Sequence, residues 1–247
     1  MSEFSSYAIL LKKVDYSEKD KIVLLFTKKK SKISAIGIGA KKSKKRKLNL
    51  LDYWYLLDIK FSKRKNYPLY IIDKVEIVED LTPNNYNFNH LTFLLVCNEI
   101  ISAFLYGEED AKELFNFYVE FLKIMKEANT KINFRNFLNI FKISVLEKIG
   151  LRLNFEKCII CGKDGIFQNY SIEKCGFVCN NCSKNSIKIS KGTLKTIDYI
   201  HRGKLNLKID RSISEEINKI FSINLYHMRG EGYLKHINSV EKLLNGI

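Results

Sequence analysis

Five of the six cysteines fall in one short stretch, residues 157–182, which reads KCIICGKDGIFQNYSIEKCGFVCNNC. Two pairs have C-x-x-C spacing, Cys158 with Cys161 and Cys179 with Cys182, and seventeen residues separate the pairs. A C-x-x-C turn brings two sulfurs to one ion, and this spacing of two such turns is typical of zinc ribbons. Four thiolates leave no coordination position open for water. The pattern therefore predicts one structural Zn²⁺ per chain rather than a catalytic ion.

The other two cysteines are not expected to bind the metal. Cys175 has C-x-x-x-C spacing with Cys179, and its use as a ligand would leave Cys182 over. Cys97 lies in an apolar run and is expected to be a small buried residue. The start of the chain has no basic segment followed by an unbroken apolar run, so we expect no signal peptide and reduced cysteines.

A second cluster with chemical meaning is the basic run KKKSKISAIGIGAKKSKKRK at 28–47, which holds ten basic residues and no acidic one. The whole chain carries a formal charge of +15, and the positive excess lies before residue 80 and after residue 150. Crowded like charges favour a polyanion partner, and contacts of this kind bind phosphates without reading sequence. We therefore predict a nucleic-acid contact formed by Lys28, Lys29, Lys30, Lys32, Lys41, Lys42, Lys44, Lys45, Arg46 and Lys47.

Aromatic residues near the basic run could stack on bases. These are Phe26, Tyr53, Trp54 and Tyr55. Alternation along strands buries every second side chain, so most of them are expected in the core.

The residues before Pro83 form five strand-like runs, at 7–14, 21–27, 32–39, 54–61 and 69–78. Each run is rich in β-branched or aromatic residues, and the linkers carry the polar and turn-forming residues. Five short strands with a longer insertion after the third fit an OB-fold, although an SH3-like barrel would give a similar pattern.

After Pro83 the apolar period becomes helical, with predicted helices at 90–107, 110–128, 133–150 and 192–203, and another from residue 212. Ser212 and Glu215 have capping-box spacing. Asn98 and Glu99 interrupt the most apolar run, which is short for a bilayer span, so no membrane partner is expected. The predicted fold class is α+β, with an OB-fold over 1–80 and a helical domain over 81–247 that carries a zinc-binding insertion at 157–183.

The order of these parts resembles the RecO family of bacterial recombinational repair proteins. The resemblance rests on the opening strands with their basic run, on FLNIFKISVLEKIGLRLNFEKCIICG at 137–162, and on CGFVCNNC at 175–182. Two positions depart from the family pattern, because Ser31 and Cys175 stand where glycine is common.

Such a resemblance implies a DNA repair and recombination protein that binds single- and double-stranded DNA and anneals complementary strands. It also implies cooperation with RecR and recognition of the C-terminal tail of single-stranded DNA-binding protein, so that RecA can load. No catalytic residues come with it, and the expected location is cytoplasmic and nucleoid-associated.

Two other classes remain open at this stage. A zinc-ribbon and OB-fold factor that binds RNA has the same composition and motifs. A zinc-containing enzyme that processes nucleic acid would need an open metal position or paired carboxylates, and the sequence has neither H-x-E nor H-E-x-x-H.

Overall fold

Five strands at the start of the chain close into a barrel, in the order β1-β2-β3-β5-β4. The computed structural model describes residues 2–41, 47–65, 67–105, 111–128 and 133–245. The predicted fold class, an OB-like five-stranded barrel followed by helices, is confirmed. The strands are β1 (Ser2–Asp15), β2 (Lys21–Thr27), β3 (Ser31–Gly37), β4 (Tyr55–Lys63) and β5 (Tyr70–Asp80), with a 3₁₀ turn at Leu48–Leu50.

The barrel is built on β1, which is long enough to pair with β2 along one half and with β4 along the other. Its weakest joint is the parallel contact between β3 and β5, where only Ala35 and Ile36 pair with Tyr70 and Ile71. The rest of β3 pairs with β2 alone among the described strands. Although the barrel is closed, β3 and β5 therefore do not pair between the start of β3 and the segment that precedes β5.

Two helices pack on the barrel, α1 (Phe88–Phe104) and α2 (Ala111–Glu127). Asn98, which interrupts the apolar run of α1, is buried and donates its amide to the carbonyl oxygens of Leu10 and Leu11. These carbonyls lie where the β1–β2 register shifts. A buried amide is stabilised by such bonds, so Asn98 belongs to the packing of α1 on β1.

The chain divides into two compact units, Met1–Thr130 and Lys131–Ile247. The division falls later in the chain than the change from strands to helices, because α1 and α2 belong to the unit of the barrel. The second unit contains the cysteine cluster and a small sheet in the order β7-β6-β8. Its described elements are α3 (Phe134–Lys148), β6 (Asn169–Ser171), β7 (Gly176–Val178), a 3₁₀ turn (Asn180–Cys182), β8 (Ser186–Lys188), α4 (Lys191–His201), α5 (Arg211–Arg229) and α6 (Glu231–Asn245).

Several element ends differ from the sequence prediction, and β1, for example, begins at Ser2 rather than at residue 7. β3 ends at Gly37 rather than at residue 39, since Gly39 turns away with φ 69° and donates its N–H to Asp20 Oδ1 at 2.7 Å. Helix α5 begins after Asp210, so Ser212 lies inside the helix and is not its cap. In the part of the chain that the structure describes, no helix combines the length and apolarity needed to cross a bilayer.

Candidate metal centre and nucleic-acid interface

The structure brings the two C-x-x-C pairs together. The sulfur atoms of Cys158, Cys161, Cys179 and Cys182 all lie within 4.8 Å of one another, and Cys161 Sγ is 3.7 Å from Cys179 Sγ. That distance excludes a disulfide, whose sulfurs are about 2.05 Å apart. It fits neighbouring ligands of a tetrahedral ion, because Zn–S bonds of about 2.3 Å place the sulfurs about 3.8 Å apart. The donor set and its size thus fit Zn²⁺.

Each cysteine pair lies on its own short turn. In the first turn, Gly162 has φ 72° and donates its N–H to Cys158 O at 2.9 Å. In the second, the N–H of Cys182 donates to Cys179 O at 3.0 Å. Cys158 and Cys179 are buried, whereas Cys161 is exposed. The centre would therefore be anchored by one cysteine of each pair and closed by the other.

The backbone prepares Cys158 for ionisation. Burial opposes the thiolate, but the backbone N–H groups of Cys161, Cys179 and Ile160 outweigh it and lower the pKa of Cys158 to about 6. Interaction with the Cys179 thiol and burial raise the pKa of Cys182 to about 12. Clustered thiolates repel one another, so a cation at their centre is needed to deprotonate the whole set.

Gly176 makes room for the first turn. A Cβ added there would lie 2.7 Å from Ile159 Cδ1, and the N–H of Ile159 donates to Phe177 O at 3.0 Å. The close approach of these two segments brings the first C-x-x-C turn against β7, which leads directly into Cys179. Packing of the two segments thereby sets the distance between the cysteine pairs.

Cys175 lies outside this group of sulfurs. It is half-buried in the turn between β6 and β7, and its sulfur is 3.8 Å from the carbonyl oxygen of Ile172. Its backbone is left-handed, with φ 50°. The residue thus occupies a turn position that favours glycine.

The predicted basic residues divide into four groups. Lys28, Lys29 and Lys30 form the turn between β2 and β3. Lys32 Nζ donates to Ser102 O at 2.7 Å, near the C-terminus of α1, and Lys41 Nζ lies 3.0 Å from Asp15 Oδ2. Lys47 is exposed just before the 3₁₀ turn. The remaining four, Lys42, Lys44, Lys45 and Arg46, lie outside the described residues.

Lys32 and Lys41 therefore have intramolecular partners. A lysine at a helix C-terminus is stabilised by the helix dipole. An exposed ion pair such as that of Lys41 with Asp15 contributes little to stability and can be exchanged for a phosphate. The turn lysines Lys28–Lys30 and the segment around Lys47 remain the strongest candidates for phosphate contacts.

Of the four aromatic residues named from sequence, two are buried and two are partly buried. Phe26 and Trp54 are buried, at 0% and 4% exposure. Tyr53 and Tyr55 are partly buried and pack against the barrel core. The sequence analysis missed two other partly buried rings, Phe4 and Tyr70, which pack at the barrel surface beside Lys30.

Comparison with known proteins gives consistent matches over nearly the whole chain. The family model described as Recombination protein O N terminal matches residues 1–81, and the model described as Recombination protein O C terminal matches residues 85–223. DNA repair protein RecO of Clostridium novyi (strain NT) is 30% identical over 247 residues, covering 98% of this chain and 93% of the relative. DNA repair protein RecO of Clostridium perfringens (strain 13 / Type A) is 29% identical over 230 residues, with 92% of each chain covered.

Proposed function

The chain belongs to the RecO family of DNA repair proteins, and from this premise we propose that it is a non-enzymatic recombination mediator. It binds single- and double-stranded DNA, anneals complementary strands and helps RecA to load onto DNA covered by single-stranded DNA-binding protein. The observation that carries the proposal is the pairing of family membership with a barrel whose β2–β3 turn is a run of lysines.

Annealing requires two polyanions to approach each other. Lysines on the barrel replace the counterions of both strands and so reduce the repulsion between them. Lys28, Lys29, Lys30 and Lys32 supply one part of this charge, and the segment from Lys41 to Lys47 supplies the other. Such contacts hold the phosphate backbone and leave the base edges to pair, which suits a protein that must act on any sequence.

Zn²⁺ in this proposal is structural, one ion per chain. Cys158, Cys161, Cys179 and Cys182 would hold it, and the chemistry that it supplies is a closed tetrahedral cross-link between two turns. The binding free energy of such an ion adds to the stability of the fold around it.

The proposed partners besides DNA are RecR and the C-terminal tail of single-stranded DNA-binding protein, with RecA affected indirectly. The support for them is family membership. The proposed location follows from the substrate, and is the nucleoid.

The test is annealing of complementary oligonucleotides that are coated with single-stranded DNA-binding protein, followed by fluorescence energy transfer between labels on the two strands. We expect this chain to accelerate annealing at low salt, and a variant with Lys28, Lys29 and Lys30 changed to Gln to accelerate it less. No acceleration by the unmodified chain would refute the proposal. A strong preference for structured RNA over DNA in filter binding would instead favour an RNA-binding factor.

A further inference from the structure

A groove lies where β3 and β5 do not pair, and its lining includes an aromatic ring as well as basic residues. It has a volume of about 400 Å³ and lies between the start of β3 and the segment Pro68–Tyr70. Here β3 pairs with β2 on one side, while β5 joins it only from Ala35 onward. Lys30, Lys32 and Ser34 line the side of β3, and Tyr70 lines the opposite side. The groove therefore combines a strand edge, cationic side chains and an aromatic ring.

The ring of Tyr70 is held in place by its neighbours. Its edge meets the ring of Phe4 at a centroid distance of 5.6 Å and an interplanar angle of 84°. Phe4 in turn stacks on the buried Phe61 at 5.0 Å, and Phe61 meets Tyr70 at 6.3 Å and 74°. Three rings in contact, with one of them in the barrel core, fix the orientation of Tyr70 at the surface.

Two ammonium groups lie over this ring. Lys63 Nζ lies 4.5 Å from the centroid of Tyr70, and Lys30 Nζ lies 5.9 Å from it and 5.0 Å from the centroid of Phe4. Lys63 Nζ also donates to Pro68 O at 2.7 Å, which keeps it beside the ring. Cations at these distances are attracted to the ring face, and they remain available for exchange with phosphate because both lysines are only partly buried.

An aromatic ring with two lysines over it matches the chemistry of one unpaired nucleotide and its two phosphates, because a base can take the place of the ammonium groups as they move to the phosphates. A base can stack on any aromatic face regardless of its identity, and the phosphates on either side of it are anionic. In a duplex the base faces are covered by neighbouring base pairs. This arrangement therefore discriminates single-stranded from double-stranded nucleic acid rather than one sequence from another. A peptide strand laid on the edge of β3 would use the backbone and would not need the ring.

We propose that Tyr70 is a stacking platform for an unpaired base of single-stranded nucleic acid, with Lys30 and Lys63 as the contacts for the flanking phosphates. This site rests on the proposed DNA binding and deepens it, because it gives the barrel a preference for single strands. The preference has a mechanical consequence for annealing: the base leaves the platform when it pairs, so the platform holds the substrate strand and releases the duplex.

The first test compares affinities for a fluorescein-labelled oligothymidylate and for a duplex of the same length, by anisotropy. Tyr70→Leu is expected to weaken single-strand binding about fivefold or more, the lower end of the range for one base–aromatic stack, and to leave duplex binding within about twofold. Tyr70→Phe keeps the ring and should retain single-strand affinity. The matched control is Tyr16→Leu, at the far end of β1, where the tyrosine is 65% exposed.

A second measurement needs no substitution. Irradiation of the unmodified chain with iodouracil-substituted oligothymidylate should give a cross-link in the peptide that contains Tyr70, identified by mass spectrometry. Cross-links confined to other peptides, an equal loss of single-strand and duplex affinity in Tyr70→Leu, or no loss at all would each overturn the platform. These outcomes leave the proposed function standing, whereas an unmodified chain that binds neither oligonucleotide would refute both.

Discussion

At the scale of single residues, five described residues other than glycine have a left-handed backbone, and Ser31 and Cys175 are two of them. Ser31 has φ 53° in the turn before β3, and Cys175 has φ 50° in the turn before β7. These are the two places where the sequence departs from the glycines common in the family it resembles. A left-handed backbone costs an L-residue about 1–2 kcal/mol. Both turns thus retain their shape against this cost, and Cys175 is explained by its turn rather than by metal chemistry.

The first prediction follows from the conformation of Cys175. Cys175→Gly should be more stable than Cys175→Ala by about 1 kcal/mol, because glycine alone adopts this backbone without strain. At an ordinary position the order is reversed, with alanine the more stable of the two. Denaturant unfolding of the two variants measures the difference, and equal stability would show that the turn relaxes.

Metal content provides the complementary readout for these variants. Both Cys175 variants should retain one Zn²⁺ per chain. Cys158→Ser should lose it, because Cys158 is a buried member of the four-sulfur group. Loss of metal from Cys175→Gly with retention in Cys158→Ser would contradict the ligand set.

The second prediction concerns His90, in the first turn of α1. His90 is buried, and its Nδ1 lies 2.8 Å from Oδ1 of Asn87, the residue that caps the helix. Burial lowers the pKa of His90 below its ordinary value of 6.5. The unfolded chain therefore binds this proton at a higher pH than the folded chain does. The contribution of neutral His90 to the free energy of unfolding is fully present above about pH 6.5. It is lost as the pH falls from there toward the folded pKa of His90.

Melting temperature measured between about pH 7.5 and pH 5 tests this. The unmodified chain should lose stability through that window, and His90→Gln should lose less of it. Identical pH profiles for the two proteins would exclude His90 as the cause.

At the scale of elements, helix α6 is attached by a buried ion pair. Lys142 of α3 is 2% exposed, and its Nζ lies 2.7 Å from Oε1 and 2.8 Å from Oε2 of Glu241 on α6. It also donates to Asn218 Oδ1 at 2.8 Å and lies 5.1 Å from the ring centroid of Phe221 on α5. One lysine therefore ties three helices of the second unit together.

The third prediction is that replacing one member of this ion pair destabilises the protein more than replacing the other. Glu241→Leu leaves the Lys142 charge buried without its carboxylate and should cost about 3 kcal/mol. Lys142→Met should cost less, because the Glu241 side chain is the more exposed of the two, at 14% against 2%. The double variant should recover much of the loss, since replacing a buried pair by apolar residues is often close to neutral.

Hydrogen exchange along Glu231–Asn245, together with denaturant unfolding, measures these effects. The largest increase in exchange is expected in Glu241→Leu. Additive losses in the double variant would show that the two residues act independently.

Elements with an unbroken period were predictable from sequence, and those defined by distant contacts were not. Runs of β-branched and aromatic residues located the five barrel strands, and the helical period located α1 to α5, whereas the three short strands β6 to β8 were not predicted. Helix α6 was missed because Gly230 and Gly232 break the pattern, and Glu241 shows its role only beside Lys142, ninety-nine residues earlier in the chain. Helix α1 ends at Phe104, with Leu105 as its C-cap residue, rather than at the predicted residue 107, which lies outside the described residues.

The site shows the same division. Cysteine spacing is a local signal, so the four clustered sulfurs could be named in advance. Tyr70 and Phe4 could not, because they meet only when β5 and β1 are placed in the barrel. The basic run could be found by its composition, but the intramolecular bonds of Lys32 and Lys41 are visible only in the fold.

At the scale of the whole molecule, the proposed DNA contact and the proposed metal site lie in different compact units. The lysines of the β2–β3 turn lie in Met1–Thr130, and the four clustered cysteines lie in Lys131–Ile247. Each unit has its own core, one inside the barrel and one formed among the helices and the small sheet. DNA affinity and metal content should therefore respond to different substitutions.

The fourth prediction is that DNA affinity and metal content can be changed separately, each by a substitution that leaves the other unchanged. Changing Lys28, Lys29 and Lys30 to Gln should lower the slope of log affinity for single-stranded DNA against log salt by about 2, because each lost phosphate contact contributes about 0.7. The same variant should keep its Zn²⁺. Cys182→Ser should lose Zn²⁺ and protection from hydrogen exchange around β6–β8, and should keep the salt slope of the unmodified chain. If loss of the metal also flattens the salt dependence, the second unit itself contacts phosphate, and the basic residues after residue 150 become the place to look for that contact.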